Sequence, residues 1–442
     1  MLNQKLNNIR FGVALLGAKV VNWLIYAFRL GSGSTWPGEA ALRIDPLFIS
    51  HILANSSIKV ILVAGTNGKT TSARLLVAGI KKAGRTALHN EEGANLLNGV
   101  ASALIRGNMR AEYAVFELDE NALPQVLLQI KAPLVVLLLN LFRDQLDRYG
   151  EVHAISNRWK EALTALSKKT TCCINADDPR LAFMGSSLSA DVFYFGASVQ
   201  DKQKKDIPHD VDSVYCPSCG NKLSYEVMSY SHLGDYRCTA CSFVTPQKWT
   251  DPIAPLPQLS GVYNRYNVRA AVATLHIALH KSFLGARDLL EGTLPAFGRQ
   301  ERIEALGKNW ICILSKNPSG FNQSIESLPE LLGKNKTPIC IILNDRIPDG
   351  TDVSWIWDVE FERVYRCASV VVATGDRTYD MAIRMQTALP PGEENSLIAK
   401  PDLKTALLTC TKLHQGKSPI IILATYTGML EARKLLLGRT LL

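Results

Sequence analysis

Short apolar runs recur along this chain: Val60–Ala64, Tyr113–Leu118, Leu134–Leu139, Thr171–Ile174 and Val192–Phe195. From about residue 46 to residue 200 they alternate with stretches whose apolar residues fall at helical intervals. A strand with one face in water alternates apolar and polar positions, so continuous runs mark strands covered on both faces. The pattern predicts a mostly parallel sheet between two helical layers. Tyr263 to Leu279 reads as a helix, and a second strand–helix rhythm follows at Trp310–Leu314, Pro338–Leu343, Ser369–Thr374 and Pro419–Leu423. Between the two rhythms, a polar stretch from Gln200 to Asp212, with Lys202, Lys204 and Lys205, leads into a cysteine-bearing insertion closed by Thr250–Pro257. The expected fold class is α/β, with an N-terminal helix and linker over 1–45, a central domain over 46–298 carrying an insertion at about 205–250, and a C-terminal α/β domain over 299–442.

Phe11 to Leu30 is strongly apolar and flanked by Arg10 and Arg29, while Lys19, Asn22, Tyr26 and Arg29 share one helical stripe. Spanning a bilayer would leave Lys19 near its centre at a cost of ~3 kcal/mol or more. The expectation is an amphipathic helix, packed on the protein or lying at a membrane surface, with spanning the lesser alternative. Gly31-Ser32-Gly33-Ser34 and Trp36-Pro37-Gly38 read as a linker after it.

Composition adds bounds. At 442 residues, 47% hydrophobic and 20% charged, the chain suits two or three globular domains. A net charge of +9 suits an anionic partner without choosing among nucleic acid, phospholipid and pyrophosphate. Of ten cysteines, Cys172, Cys173, Cys312, Cys340, Cys367 and Cys410 lie mostly in apolar runs and read as core residues. That usage favours a reducing cytoplasm.

The sharpest chemical signal is Gly65-Thr66-Asn67-Gly68-Lys69-Thr70-Thr71, between the run ending at Ala64 and a helical stretch from Ser72. A strand feeding a glycine turn into a helix N-terminus aims backbone N–H groups and the helix dipole at an anion. Lys69 adds a point charge, and Thr70 offers a hydroxyl to magnesium. An ordinary turn could carry the glycines, but hardly strand, turn, lysine and hydroxyls in one register. The turn predicts a site for ATP or something close to it. Glu117, with Asp119 and Glu120 behind it, ends an apolar run where a magnesium ligand is expected beside such a loop. Asp119 and Glu120 read equally well as solvated loop acids. Asn140 and the RDQLDRYG stretch follow a further strand tip on the same crevice.

Cys216-Pro-Ser-Cys219 and Cys238-Thr-Ala-Cys241 are two C-x-x-C knuckles separated by 18 residues. Each supplies two thiolates from a tight turn, and together they close a tetrahedral site for Zn2+. Four thiolates leave no open coordination position, so the metal is structural and His232 is surplus.

The compact GTNGKTT turn resembles that of the Mur ligases and folylpolyglutamate synthases, ATP-dependent enzymes that join an amine to a carboxylate. The resemblance extends from about residue 46 to the end of the chain. Asn140 with RDQLDRYG is similar to that family's "N…DHLD" motif, with Gln145 in the place of its histidine. Asn175-Ala-Asp177-Asp178-Pro179 is similar to its NADDP turn, and Gly261-Val-Tyr-Asn264-Arg-Tyr-Asn267 to its "G-x-x-N-x-x-N" helix. Gly298-Arg299 is similar to the arginine entering the C-terminal domain. Three departures resemble the MurT family, the synthetase subunits that work with a GatD glutaminase on lipid II. Only about 45 residues precede the nucleotide domain, a four-cysteine ribbon is inserted, and Leu314–Asn322 replaces the "DYAHNP" segment of amino-acid-adding ligases. The stretch Asn344–Asp358, and Thr425-Tyr426-Thr427 near the end, also look like that family.

The resemblance implies ATP-dependent amidation of the D-glutamate α-carboxylate of lipid II to D-isoglutamine through an acyl phosphate. It implies that Thr70 and Glu117 hold Mg2+, that Lys69 and Arg299 neutralise charge on the transferring phosphoryl group, and that Asn140 and Asn267 meet the nucleotide. It also implies a GatD-like glutamine amidotransferase partner, whose Cys–His pair Asp349 would reach, and lipid II at the inner face of the cytoplasmic membrane. From the residues alone, Pro348-Asp349-Gly350 is only a turn signal. Rival readings are an amino-acid ligase acting on a nucleotide-linked or folate substrate, a zinc-ribbon P-loop ATPase on nucleic acid, and a non-catalytic scaffold. Scattered Lys and Arg residues around the knuckles argue against a nucleic-acid partner.

Overall fold

A computed structural model of the chain describes residues 2–28, 33–54, 56–90, 93–142, 152–197, 213–250, 256, 259, 261–293, 299–392 and 396–438. The polar stretch with Lys202, Lys204 and Lys205, most of Thr250–Pro257, and Asp144, Gln145, Asp147 and Arg148 of the RDQLDRYG segment lie outside the described residues.

The first sheet contains β1 (Lys59–Ala64), β2 (Ala87–His89), β3 (Tyr113–Leu118), β4 (Val135–Leu138), β5 (Thr171–Asn175) and β6 (Asp191–Phe195). Its strand order is β2-β3-β1-β4-β5-β6, with parallel pairing throughout. Continuous apolar runs are explained by burial on both faces. Val60, Leu62, Phe116, Leu138 and Cys172 enter one core, whereas Ile61, Val63, Val115, Leu137 and Cys173 enter the other.

The insertion holds an antiparallel hairpin of β7 (Leu223–Tyr230) and β8 (Leu233–Cys238). The second large sheet contains β9 (Arg299–Ala305), β10 (Lys308–Leu314), β11 (Thr337–Ile342), β12 (Ala368–Thr374), β13 (Leu397–Ala399) and β14 (Ile420–Ala424). Its order is β13-β12-β11-β14-β10-β9, parallel except for β9 against β10. Two cores again flank it, Ile311, Ile339 and Leu423 on one side and Trp310, Cys340 and Ile422 on the other.

The N-terminal helix, Leu2–Phe28, joins the first sheet's core that holds Val60, Leu62 and Phe116 through Ala14 and Ala18, with Phe11 and Leu15 partly buried beside them. Its stripes differ from the expected polar–apolar division. Asn22 is half-buried, and an apolar stripe of Ile9, Val13, Leu16, Val20 and Trp23 faces outward. The expected linker also ends early: Pro37 opens a helix, Trp36–Ile44, because its fixed φ and missing N–H suit a first helical turn.

Candidate functional site

β1 lies between β3 and β4, so the connections leaving its C-terminal end diverge and open a crevice there. The turn from Gly65 to Gly68 sits at this tip, and the helix Lys69–Lys82 starts from it. Its first N–H groups have no acceptor within the helix and carry the positive end of its dipole. Gly65 has φ +149° and Gly68 φ +87°. A Cβ on Gly68 would lie 2.1 Å from Asn267 Oδ1, and one on Gly65 would lie 2.8 Å from Leu139 Cβ. Both positions therefore require glycine, for conformation and for space.

Neighbouring strand tips fix the turn. Asn140 accepts from the Asn67 N–H through Oδ1 at 2.8 Å and donates from Nδ2 to the Asn67 carbonyl at 3.0 Å. Thr66 Oγ1 donates to the Phe142 carbonyl at 3.2 Å and accepts from the Phe142 N–H at 3.1 Å. Lys69 is buried, and its Nζ donates to the carbonyls of Gly65 at 2.5 Å and Thr66 at 3.0 Å. Glu120 Oε2 stands 3.3 Å from the same ammonium. Thr70 Oγ1 donates to Glu117 Oε1 at 3.1 Å. Asn90 anchors Glu117 by accepting from its N–H and donating to its carbonyl.

The residues fit a nucleotide with its magnesium. The hydroxyl of Thr70 and the carboxylate of Glu117 are adjacent oxygen donors, the set a hard divalent cation takes. Glu120 Oε1 is buried without a hydrogen-bond partner among the described residues, which adds anionic charge facing inward. From the sequence Glu120 reads equally well as a site carboxylate or a solvated loop acid; the folded crevice decides this by bringing it to Lys69. A cleft of about 450 Å³ adjoins the turn, lined by Asn67, Gly68, Asn267, Tyr230 and, from the C-terminal domain, Gln323. Asn317 reaches across from that domain, donating from Nδ2 to Asn67 Oδ1 at 3.2 Å while capping the helix Pro318–Leu332. Asn264 and Asn267 are buried together on the helix Val262–Leu279, with Asn267 Nδ2 3.3 Å from Asn264 Oδ1. Arg299 begins β9, and its side chain lies outside the described residues.

The sulfurs of Cys216, Cys219, Cys238 and Cys241 all lie within 4.8 Å of one another. A tetrahedral site with ~2.3 Å bonds has sulfur–sulfur edges of about 3.8 Å; Cys216 and Cys241 stand at 3.8 Å and Cys219 and Cys238 at 3.4 Å. The donor set thus fits zinc. Hydrogen bonds from Asn221 lower the Cys219 thiol to about 6, whereas burial pushes the Cys216 thiol up to about 12, so a bound metal is what would draw the whole set to thiolates. His232 stands apart from this cluster, buried against Phe142 and 3.3 Å from Asp178 Oδ2. The remaining six cysteines are buried core residues, and burial pushes the Cys172 and Cys312 thiols up to about 12.

The NADDP turn has a bracing role. Asp178 caps the helix Pro179–Gly185 through Oδ1 and accepts from the Leu141 N–H at 2.8 Å through Oδ2. Burial would raise its carboxyl, but the His232 imidazole and the N–H groups of Leu141 and Leu181 outweigh that and hold it below its ordinary value. Asp177 accepts from Tyr266 at 2.5 Å and pairs with Lys248 of the ribbon.

Asp349 lies after β11, buried, against the first turn of the helix Tyr426–Leu437, whose N-cap position is Thr425. It accepts from the Thr427 N–H at 2.8 Å and from the Thr427 hydroxyl. Burial pushes its carboxyl above the ordinary range despite these donors and Arg346. Ile347 beside it is 86% exposed.

Residues 63–275 match the middle domain of Mur ligases, and residues 314–429 match the MurT ligase C-terminal domain. The chain is 31% identical to the lipid II isoglutaminyl synthase (glutamine-hydrolyzing) subunit MurT of Streptococcus pneumoniae (strain ATCC BAA-255 / R6), covering 98% of each chain. It is 30% identical to the subunit of the same description from Staphylococcus aureus (strain COL), over 80% of this chain and 83% of that one. Among solved structures, a pseudomurein peptide ligase type C from Methanothermus fervidus superposes with a TM-score of 0.63 at 21% identity, covering 88% of this chain and 80% of that one. That likeness speaks to the fold alone. With its two domains matched in order and a relative aligned almost end to end, the chain belongs to the MurT family of ATP-dependent, Mur-type ligases.

Proposed function

We propose that this chain is the synthetase subunit of a glutamine-dependent enzyme that amidates the D-glutamate α-carboxylate of lipid II. ATP bound on the turn around Lys69 transfers its γ-phosphoryl group to the carboxylate, giving an acyl phosphate and ADP. Ammonia attacks the acyl carbon, phosphate leaves, and D-isoglutamine remains. The observation that carries this reading is the convergence of Lys69, Thr70, Glu117 and Asn140 on one strand-tip crevice in a chain similar throughout to a glutamine-hydrolysing synthase subunit.

Lys69 offsets charge on the phosphoryl oxygens, and Arg299 does so from the start of the C-terminal domain. Thr70 and Glu117 would hold magnesium, which would supply charge neutralisation at the phosphoryl group. Asn267 meets the adenosine. Zinc in the four-cysteine site stabilises the ribbon and takes no part in the chemistry.

Ammonia comes from a GatD-like glutaminase. Asp349 orients the histidine of that partner's Cys–His pair, as the third member of a triad does. Asp349 is buried and already accepts from Thr427 at both oxygens, so the role requires a partner that docks on the surface marked by the exposed Ile347 beside it. The outward stripe of the N-terminal helix, ending in Trp23, together with Tyr26 and Phe28 exposed in its last turn, supports peripheral contact with the cytoplasmic membrane face, where lipid II resides. The test is mass spectrometry of lipid II incubated with ATP, glutamine, this chain and its glutaminase partner. The reading requires the mass change of OH replaced by NH2; unchanged lipid II contradicts it.

A further inference from the structure

The four-cysteine ribbon reaches the same cleft that the glycine turn lines. Its hairpin pairs Leu223 with Cys238 at the knuckle end and Tyr230 with Leu233 at the other. The strand between these ends is about 23 Å long at ~3.3 Å per residue. The four-cysteine site and the cleft therefore lie at opposite ends of one hairpin. At the cleft end, Tyr230 lines the same space as Gly68 and Asn267. Its ring is clamped by Phe142 at 5.6 Å and by Tyr266 at 5.5 Å in an edge-on contact.

The ribbon is tied to the nucleotide domain along its length. Tyr236 donates to the Ala176 carbonyl at 3.1 Å, and Lys248 joins Asp235 to Asp177. Asp178 holds His232 on one side and the Leu141 N–H on the other, next to the Asn140 that grips the turn. At the knuckle end, by contrast, the apolar cluster is small: Ala182, Cys216, Leu223, Tyr236 and Cys238 form its buried part. A core of that size relies on a metal to stay folded.

We propose that Tyr230 is a nucleotide-base contact and that occupancy of the four-cysteine site sets ATP affinity by holding this tyrosine in the cleft. The proposal rests on the reading that the turn around Lys69 binds ATP. An aromatic ring on a purine accepts the base's π-face or edge and contributes nothing to a bare phosphate chain. ATP and inorganic tripolyphosphate therefore separate the two claims.

The experiment measures binding of ATP and of tripolyphosphate, each with magnesium, by calorimetry on the full-length, zinc-loaded chain and on Y230A and Y230F. The expected result is a loss of ATP affinity of about tenfold in Y230A, by analogy with base–aromatic stacking. Tripolyphosphate binding should be unchanged, which also reports that the variant is folded, and Y230F should bind like the wild type. Stripping zinc with a chelator, followed by metal analysis, should weaken ATP binding in the wild type and add little in Y230A. Unchanged ATP affinity in Y230A, or equal losses for both ligands, would overturn the assignment. A wild-type chain that binds neither ligand would instead sink the underlying reading of the turn.

Discussion

Asn140 grips the backbone of Asn67 from both sides, accepting from its N–H at 2.8 Å and donating to its carbonyl at 3.0 Å. This pair ties the tip of β4 to the phosphate turn and makes Asn140 a determinant of the turn's shape. Asn140→Ala removes both bonds and should cost about 1–3 kcal/mol of stability. ATP affinity should fall with it, because the N–H groups aimed at phosphate lose their alignment. Denaturant titration beside nucleotide binding checks both. An N140A chain with wild-type stability and affinity would show that the turn holds its own shape.

Asp349 is committed within this chain to Thr427. Its folded pKa is raised, so the folded state binds its proton more readily than the unfolded chain does. The ionised form therefore costs stability at pH values above the folded pKa, and that cost disappears below the unfolded value of ~3.9. Asp349→Asn should accordingly be folded and at least as stable near neutrality, while chiefly impairing glutamine hydrolysis by the complex. Glutaminase turnover with a D349N chain decides the matter; undiminished turnover refutes the proposed role toward the partner's histidine.

Asp178 behaves oppositely. Its folded pKa is lowered, so its contribution to stability is present above the unfolded value of ~3.9 and is lost as pH falls through the folded value. Asp178→Asn should flatten the acid limb of a stability–pH profile and loosen both the ribbon and the Leu141 backbone. An acid limb as steep as the wild type's would contradict this.

Much of the site was legible because it is contiguous. Gly65 to Thr71 carries strand end, turn and helix start in one stretch, and the two cysteine knuckles carry their own spacing. The long buried strands were legible because both faces are apolar. Short or partly exposed strands were not: β2 and β13 are three residues each, and β9 reads RQERIEA, an edge strand with few apolar positions. The hairpin of the insertion left little local trace, because LSYEVMSY and LGDYRC mix polar and apolar residues and their pairing shifts register twice. Long-range pairings left no local trace. Nothing in the sequence around Tyr230 or Glu120 announces that one meets the cleft and the other Lys69.

The outward stripe of Ile9, Val13, Leu16, Val20 and Trp23 gives a membrane prediction. The full chain should co-sediment with phosphatidylglycerol vesicles, and a chain carrying L16E and W23E should be left in the supernatant while retaining its ATP affinity. Equal sedimentation of the two would remove the helix from any membrane role.

The central claim, that ATP activates a carboxylate by phosphorylating it, has a direct isotopic test. Lipid II carrying oxygen-18 in the D-glutamate α-carboxylate would be amidated by the complex with ATP and glutamine, and the released phosphate analysed by mass spectrometry. The account predicts one labelled oxygen in phosphate for each amide formed, and neither amide nor labelled phosphate with K69A. Amide formed without transfer of label to phosphate would contradict it.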